Sequence, residues 1–371
     1  MNKNENLIEN KPKKSGKFKY SLSVLFLIAM IVITFVVILT EYNINDVIKV
    51  LNIVDLRYLI VCLVLVFIYI FFEGMATRKI LKSLGHYTSI KDNFEYAAVD
   101  YYYCAITPSA SGGQPMVAYH MAKDDIPVEA STQVLLVNTA LFKFVLIVLS
   151  LVSLIFSYEY IFDNSLMLIL FILGITLNIL IIVFCGLCTF KRSWLESLGK
   201  RIIMLLARWK VCKKPVKWTR ILIKKMDEYE QGAKYILQNK HRLFIALIYN
   251  FIQRIALFSC AYFVYLAFQK AFPQLSGFGY FDLFAIQTII ALSVDSLPLP
   301  GGMGISEILY VTMFEIVYGG IVLFDEGTLV ASAMLLTRAV SFYLPLIITA
   351  IITIKRHIVI LCKNKKAKKE C

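Results

Sequence analysis

The amino-acid sequence predicts an all-α membrane protein, a polytopic helical bundle of about six full spans plus two re-entrant broken-helix hairpins, with both termini cytoplasmic. Three observations carry that prediction. Apolar runs recur from residue 20 to residue 354 in a chain that is 59% hydrophobic, with mean hydropathy +0.71, which excludes an ordinary soluble domain. The net charge of +14 crowds the amino end, the segment from Lys191 to Arg242 and the carboxyl tail, the distribution of cytoplasmic loops rather than a nucleic-acid footprint. Two apolar segments, Thr107–Pro115 and Leu297–Glu307, are interrupted by Pro and Gly in corresponding places in the two halves of the chain.

Residues 1–19 form a basic cytoplasmic N-terminus. The uncharged run from Tyr20 to Thr40 that follows is long enough to span; it exceeds a signal-peptide core and lacks a small-x-small cleavage site, so it is expected to be retained. Tyr58 to Phe72, continuing to Ala76, brings the chain back to Arg78, Lys79, Lys82 and Lys91. Residues 92 to 131 are amphipathic and broken by the first Pro/Gly segment. Val134 to Phe156 then crosses outward, carrying Lys143, to a loop without basic residues at Tyr158 to Asp163. Ser165 to Phe190 returns to a basic cytoplasmic loop, 191–242, with 15 Lys/Arg against 4 Asp/Glu; within it, Ile202 to Trp209 and Ile221 to Tyr235 have the spacing of helices lying on anionic headgroups.

Leu243 to Leu266 crosses outward with Arg254 near its middle. The second Pro/Gly segment is flanked by Leu283 to Val294 and Ile308 to Phe324, and the acidic Phe324–Gly327 loop is expected outside. Leu329 to Ile354 returns to a basic cytoplasmic tail, 355–371. The transmembrane domain is thus expected to occupy 20–354.

Hydrocarbon offers no partner to exposed peptide groups, so non-helical backbone at membrane depth survives only where protein buries it or water reaches it. Loop charges bring the two breaks in from opposite faces, the arrangement of an inverted repeat with a midplane substrate site. At the first break Ser109, Ser111, Gly112, Gly113 and Gln114 would let backbone amides approach an anion at the start of a half-helix. At the second, Pro300, Gly301, Gly302 and Gly304 offer the same chemistry, with Ser306 and Glu307 in the following turn; Glu307 alternatively caps the helix dipole. Tight helical turns without a ligand are the competing explanation.

Glu73, Lys143, Arg254, Asp295, Glu307, Glu315 and Arg338 stand within expected spans, each costing roughly 3 kcal/mol at mid-membrane unless paired or hydrated. They are therefore expected to converge on one another or on water. Lys143, Arg254 and Arg338 come from three helices and suit a phosphate, which guanidinium and ammonium groups bind. The alternative is that Arg254 and Arg338 neutralise Glu73, Asp295 or Glu315 and lock helices together.

The eight cysteines fall mostly inside or beside apolar segments, so reduced thiols are expected. Cys185 and Cys188 have redox-motif spacing but close an apolar helix. The four histidines show no ligand spacing, and neither metal nor cofactor is expected.

With Thr107-Pro-Ser-Ala-Ser-Gly-Gly-Gln-Pro115, Leu299-Pro-Gly-Gly-Met-Gly-Ile-Ser-Glu307 and Leu336-Thr-Arg-Ala-Val-Ser-Phe-Tyr-Leu-Pro345, the sequence resembles the flippase-like family known as the lysylphosphatidylglycerol synthase transmembrane region. That region is the membrane half of bacterial multiple peptide resistance proteins, and the resemblance covers nearly the whole chain. It implies a multi-pass protein of the bacterial cytoplasmic membrane that binds and translocates an anionic or aminoacylated phospholipid, or a lipid-linked anion. It also centres the site on Gly112, Gly113, Gly301, Gly302, Gly304, Glu307 and Arg338. Full-length relatives add a cytoplasmic domain that moves lysine from tRNA to phosphatidylglycerol; no such domain is expected in this chain, which ends at Cys371. The enzymatic alternative is a phosphatidylglycerol lysyltransferase or its membrane subunit, contributing to cationic antimicrobial peptide resistance, and only that alternative brings in tRNA. A separate lipid-modifying synthase and a second copy of the chain are further partners to test; DNA is not expected.

Overall fold

The computed structural model describes residues 50–107, 110–162, 165–209, 215–295, 297, 305–319, 321–323 and 327–367. The expected first helix at 20–40 lies outside them, as do Ser109, Pro300, Gly301, Gly302 and Gly304. Among the described residues five helices are long and apolar enough to cross a membrane: Leu56–Ser83, Val128–Phe156, Ser165–Phe190, Lys240–Gln269 and Leu329–Cys362. They coincide with the second to sixth spans expected from the sequence.

The chain runs through α1 (Leu56–Ser83), α2 (Ile90–Ile106), α3 (Gly113–Lys123), α4 (Val128–Phe162), α5 (Ser165–Phe190), α6 (Arg192–Arg208) and α7 (Pro215–Gln238). It continues through α8 (Lys240–Gln269), α9 (Tyr280–Val294), α10 (Ile305–Tyr318), α11 (Leu329–Arg338), a π-helical turn at Ala339–Tyr343, and α12 (Leu344–Ala367). Among the described residues the fold is all-α apart from a short antiparallel pair, Val322–Leu323 with Gly327–Thr328.

Local chemistry sets the boundaries. Gly85, at φ 83°, lets the chain leave α1 through the left-handed region that disfavours other residues. Ser89 and Asp92 exchange a capping box at the start of α2, satisfying two otherwise orphaned N–H groups. Two boundaries differ from the sequence expectation. α4 continues to Phe162, through the expected external loop, because Tyr158 to Phe162 contains no Pro or Gly to stop it. α10 stops at Tyr318 rather than Phe324, since Gly319 turns the chain at φ 61° and passes it into the short β pair.

α1 and α8 pack against each other more extensively than any other helices, and they run antiparallel. Asp55 N–H donates to Ala267 C=O at 3.0 Å at one end, and Arg242 donates to Lys82 C=O at the other. Around them two units repeat the same order: a long span, a half-helix, a break, a second half-helix and another long stretch of helix. The half-helix α2 of the first unit packs on α12 of the second, while the half-helix α9 of the second packs on α4 of the first. Because α1 and α8 are antiparallel, the leading helices of the two units run in opposite directions.

Glycines allow the closest approaches. A Cβ on Gly74 of α1 would lie 2.5 Å from Asn93 C=O in α2, and one on Gly174 of α5 would lie 2.5 Å from Leu292 C=O in α9. Such contacts, rather than hydrophobic burial, hold helices together in lipid. The outward face of α5 exposes Leu166, Ile169, Ile172, Leu180 and Val183, as a lipid-facing surface does.

The α6–α7 hairpin stands apart in composition. None of the residues of α6 is buried. Its sides are tied by Arg192, which reaches Asp227 at 2.7 Å and Glu230 at 2.8 Å. Hydrogen bonds from Arg192 and then Lys234 hold the Glu230 carboxyl below the usual carboxylate range.

Candidate functional site

The first break is held by its own side chains. Thr107 Oγ1 donates to Tyr103 C=O at 2.6 Å and accepts from Gly112 N–H at 2.9 Å, while Ala110 adopts φ 51°. α3 then starts at Gly113, with Pro115 in its first turn, where a missing N–H has no helical partner to lose. The half-helix start expected near Gln114 is therefore present. Gln114 Nε2 donates to Thr139 Oγ1 of α4, anchoring the half-helix laterally, and Ser111 is exposed.

Gly113 is buried, and a Cβ there would sit 2.4 Å from both Asp100 Oδ1 and Cys104 Sγ. The glycine thus admits a carboxyl group of α2 to the start of α3. Sequence reasoning did not single out Asp100. It lies within electrostatic reach of Glu73 of α1, so two acids from adjacent helices stand near the break.

At the second break, Asp295 directly follows α9, its N–H bonded to Ala291 C=O at 3.0 Å. Lys143 of α4 pairs with its carboxylate, and Arg254 of α8 approaches it at 4.0 Å. The Arg254 guanidinium, 6% exposed, stacks over Phe142 with its carbon 3.4 Å from the ring centroid, a cation–π contact that strengthens away from water. Arg254 also lies within electrostatic reach of Glu73. Beyond the break, Ser306 and Glu307 occupy the first turn of α10, and Arg338 at the end of α11 bonds to both.

The three intramembrane cations thus divide into two stations. Lys143 and Arg254 converge on Asp295, whereas Arg338 bonds to Ser306 and Glu307. Tyr101 connects the stations. It lies within reach of both Arg338 and Glu73, and its hydroxyl donates to Ser341 C=O at 2.9 Å, inside the π turn whose altered bonding frees such carbonyls. Glu315 stays exposed on α10 and does not join the other charges, contrary to the expected convergence, because its side of the helix turns away from α9 and α11.

A further polar cluster was missed by sequence reasoning. Arg356 reads as a tail cation, yet α12 continues past it and buries it to 7% exposure. There it pairs with Glu95 of α2 and Asp124 after α3, and its Nε donates to His120 Nδ1 at 3.2 Å. Tyr96 adds a hydroxyl bond to Asp124 at 2.7 Å. The cluster clamps both arms of the first broken hairpin to the last helix of the second unit.

The arrangement therefore gathers three cations around the second break, each facing a carboxylate: Lys143 and Arg254 on Asp295, and Arg338 on Glu307. A family model described as the lysylphosphatidylglycerol synthase TM region matches residues 21–349, a range that holds both breaks, both stations and the antiparallel α1–α8 pair. No curated protein matches the chain. This is a multi-pass membrane protein, and it belongs to the lysylphosphatidylglycerol synthase transmembrane-region family.

Proposed function

We propose that the protein binds the headgroup of an anionic or aminoacylated phospholipid at membrane depth and carries it between leaflets of the bacterial cytoplasmic membrane. The observation that supports this most is the Lys143–Asp295–Arg254 station, which stands at the edge of a helix break and joins helices of both inverted units. A lipid phosphate exchanging with the Asp295 carboxylate would be held by one ammonium and one guanidinium, the pair of groups best suited to phosphoryl oxygens. Ser109, Pro300, Gly301, Gly302 and Gly304 belong to this proposal through the sequence pattern alone. Gly112 and Gly113 enter it as the residues that shape the first break, and Arg338 and Glu307 as the second station.

The test is reconstitution. Full-length protein in liposomes containing fluorescent lysyl-phosphatidylglycerol, phosphatidylglycerol or a polyprenyl phosphate is expected to move at least one of them across the bilayer faster than empty liposomes do. No acceleration for any of them ends the reading.

The family's name favours a second reading, lysine transfer from lysyl-tRNA to phosphatidylglycerol by this chain or with a separate synthase. Incubation of purified protein with both substrates is expected to give no aminoacylated lipid; formation of that lipid would establish the enzymatic reading instead. The α6–α7 hairpin is proposed to rest on anionic headgroups at the cytoplasmic surface, where its exposed Ile202, Met204, Leu205 and Trp209 and neighbouring cations match an interfacial helix.

A further inference from the structure

A chain of buried amides between α4 and α8 ends beside the Lys143–Asp295–Arg254 station. Asn250 and Arg254 stand one turn apart on α8, and they meet Asn138 and Phe142, one turn apart on α4. Asn250 Nδ2 donates to Asn138 Oδ1 at 3.2 Å, and the Arg254 guanidinium stacks over Phe142. Asn250 and Gln253 are fully buried. Which end of each amide is oxygen follows from its partners. Asn250 Nδ2 also donates to Ala246 C=O at 2.9 Å, and a carbonyl only accepts. Asn250 Oδ1 therefore faces the other way and accepts from Gln253 Nε2 at 2.6 Å. Gln253 is thereby turned with Oε1 at the end of the chain, where it has no hydrogen-bond partner among the described residues. Turning the amide over would set oxygen against oxygen. The next residue shows the complementary feature: Arg254, 6% exposed, leaves its Nε–H without an acceptor among the described residues.

A buried acceptor and a buried donor left open on consecutive residues are costly in a membrane interior. One guest satisfies both if it carries an anionic oxygen and, a few bonds away, a hydrogen-bond donor. We propose that Gln253 selects the lipid headgroup: its Oε1 accepts from a hydroxyl of a polyol headgroup whose phosphodiester lies on Arg254 and Lys143. The proposal rests on the lipid-binding reading and adds the part of the headgroup beyond the phosphate. A hydroxyl donates without adding charge, whereas an ammonium would set a third cation beside Lys143 and Arg254, which share Asp295. A choline headgroup has no N–H or O–H to offer. Gln253 acts by touching the guest, and the Asn138–Asn250 amides hold its oxygen in that orientation.

The test compares two lipids of equal charge. Phosphatidylglycerol and phosphatidylpropanol, each labelled on an acyl chain, both carry a single negative charge, and only the first has headgroup hydroxyls. In phosphatidylcholine proteoliposomes holding the full chain, phosphatidylglycerol is expected to cross about tenfold faster, the worth of one net hydrogen bond between neutral groups; this comparison needs no variant to fold. Gln253→Met keeps the side-chain length and removes the acceptor, and it is expected to bring the ratio of the two rates to about one. A merely structural role for Gln253 would slow both lipids alike and keep the ratio. Equal wild-type rates for the two lipids, or a preference that survives Gln253→Met, overturn the proposal and leave translocation standing. Faster crossing of phosphatidylethanolamine than of phosphatidylglycerol would put an ammonium in place of the hydroxyl and overturn it as well. Competition binding of the same lipids in detergent separates the two readings: a preference of about tenfold in binding, with neither lipid crossing, overturns transport and leaves the hydroxyl site standing.

Discussion

Lys143 and Asp295, 152 positions apart in sequence, form an ion pair that ties α4 of the first unit to the end of α9 in the second. Both side chains are largely shielded, at 12% and 16% exposure, so each alone would be a poorly solvated charge. Lys143→Met or Asp295→Asn is expected to cost about 3–5 kcal/mol, the usual consequence of leaving one buried charge unpaired. The exchanged double variant, Lys143→Asp with Asp295→Lys, is expected to recover most of that stability in detergent thermal unfolding while failing to move lipid. Recovery of transport as well would show that the pair only holds helices together.

Gly113 gives a sharper steric test. Gly113→Ala places a methyl group 2.4 Å from Asp100 Oδ1 and Cys104 Sγ, and overpacking of this kind costs about 1–3 kcal/mol. Translocation is expected to fall with it, since the start of α3 is pushed away from Asp100 and Cys104. Gly186→Ala, where nothing lies within 4 Å, serves as the silent control in the same unfolding and transport assays.

Arg356 is expected to behave as a core residue. Arg356→Gln strands Glu95 and Asp124 beside the buried His120 and should lower the thermal midpoint markedly, whereas neutralising Lys234, exposed on α7 with only an i,i+4 partner, should shift it little. Limited proteolysis between α3 and α4 offers a second readout, because loss of the clamp frees that hairpin.

All three tryptophans of the chain, Trp194, Trp209 and Trp218, lie on the α6–α7 hairpin, so intrinsic fluorescence reports on that element alone. Trp209 and Trp218 are 66% and 53% exposed. In proteoliposomes, brominated phosphatidylglycerol is expected to quench this emission more than brominated phosphatidylcholine does. The preference should fade at high salt, where surface attraction is screened. Equal quenching by both lipids would remove the anionic-headgroup role of the hairpin.

The spans were readable because each is a long run with few charges, and Ser165–Phe190 has the same limits in sequence and structure. The first break was equally readable, since Gly112, Gly113 and Pro115 dictate where one helix ends and the next begins. Partnership was not. Nothing local to Lys143 reveals Asp295, and the pairing becomes visible only when α4 and α9 pack together. Asp100 was hidden for a related reason: on a segment with mixed polarity it looks like one more solvated side chain, and only the approach of Gly113 and Glu73 shows that it is enclosed. Arg356 followed the last apolar run and so resembled a topological charge, although α12 carries it back into the protein.

The π turn at Ala339–Tyr343 has a mechanical consequence for the last two arginines. A residue in an α-helix advances the chain by about 100° around the axis, so one extra residue in a turn re-phases everything beyond it by that angle. Arg338 lies before the turn and Arg356 after it, so the angle between them around the helix includes this offset. Deleting a single residue there would heal the ladder and swing Arg356 out of alignment with Glu95 and Asp124. Local irregularity, not straightness, is what lets one long helix serve two separate polar centres.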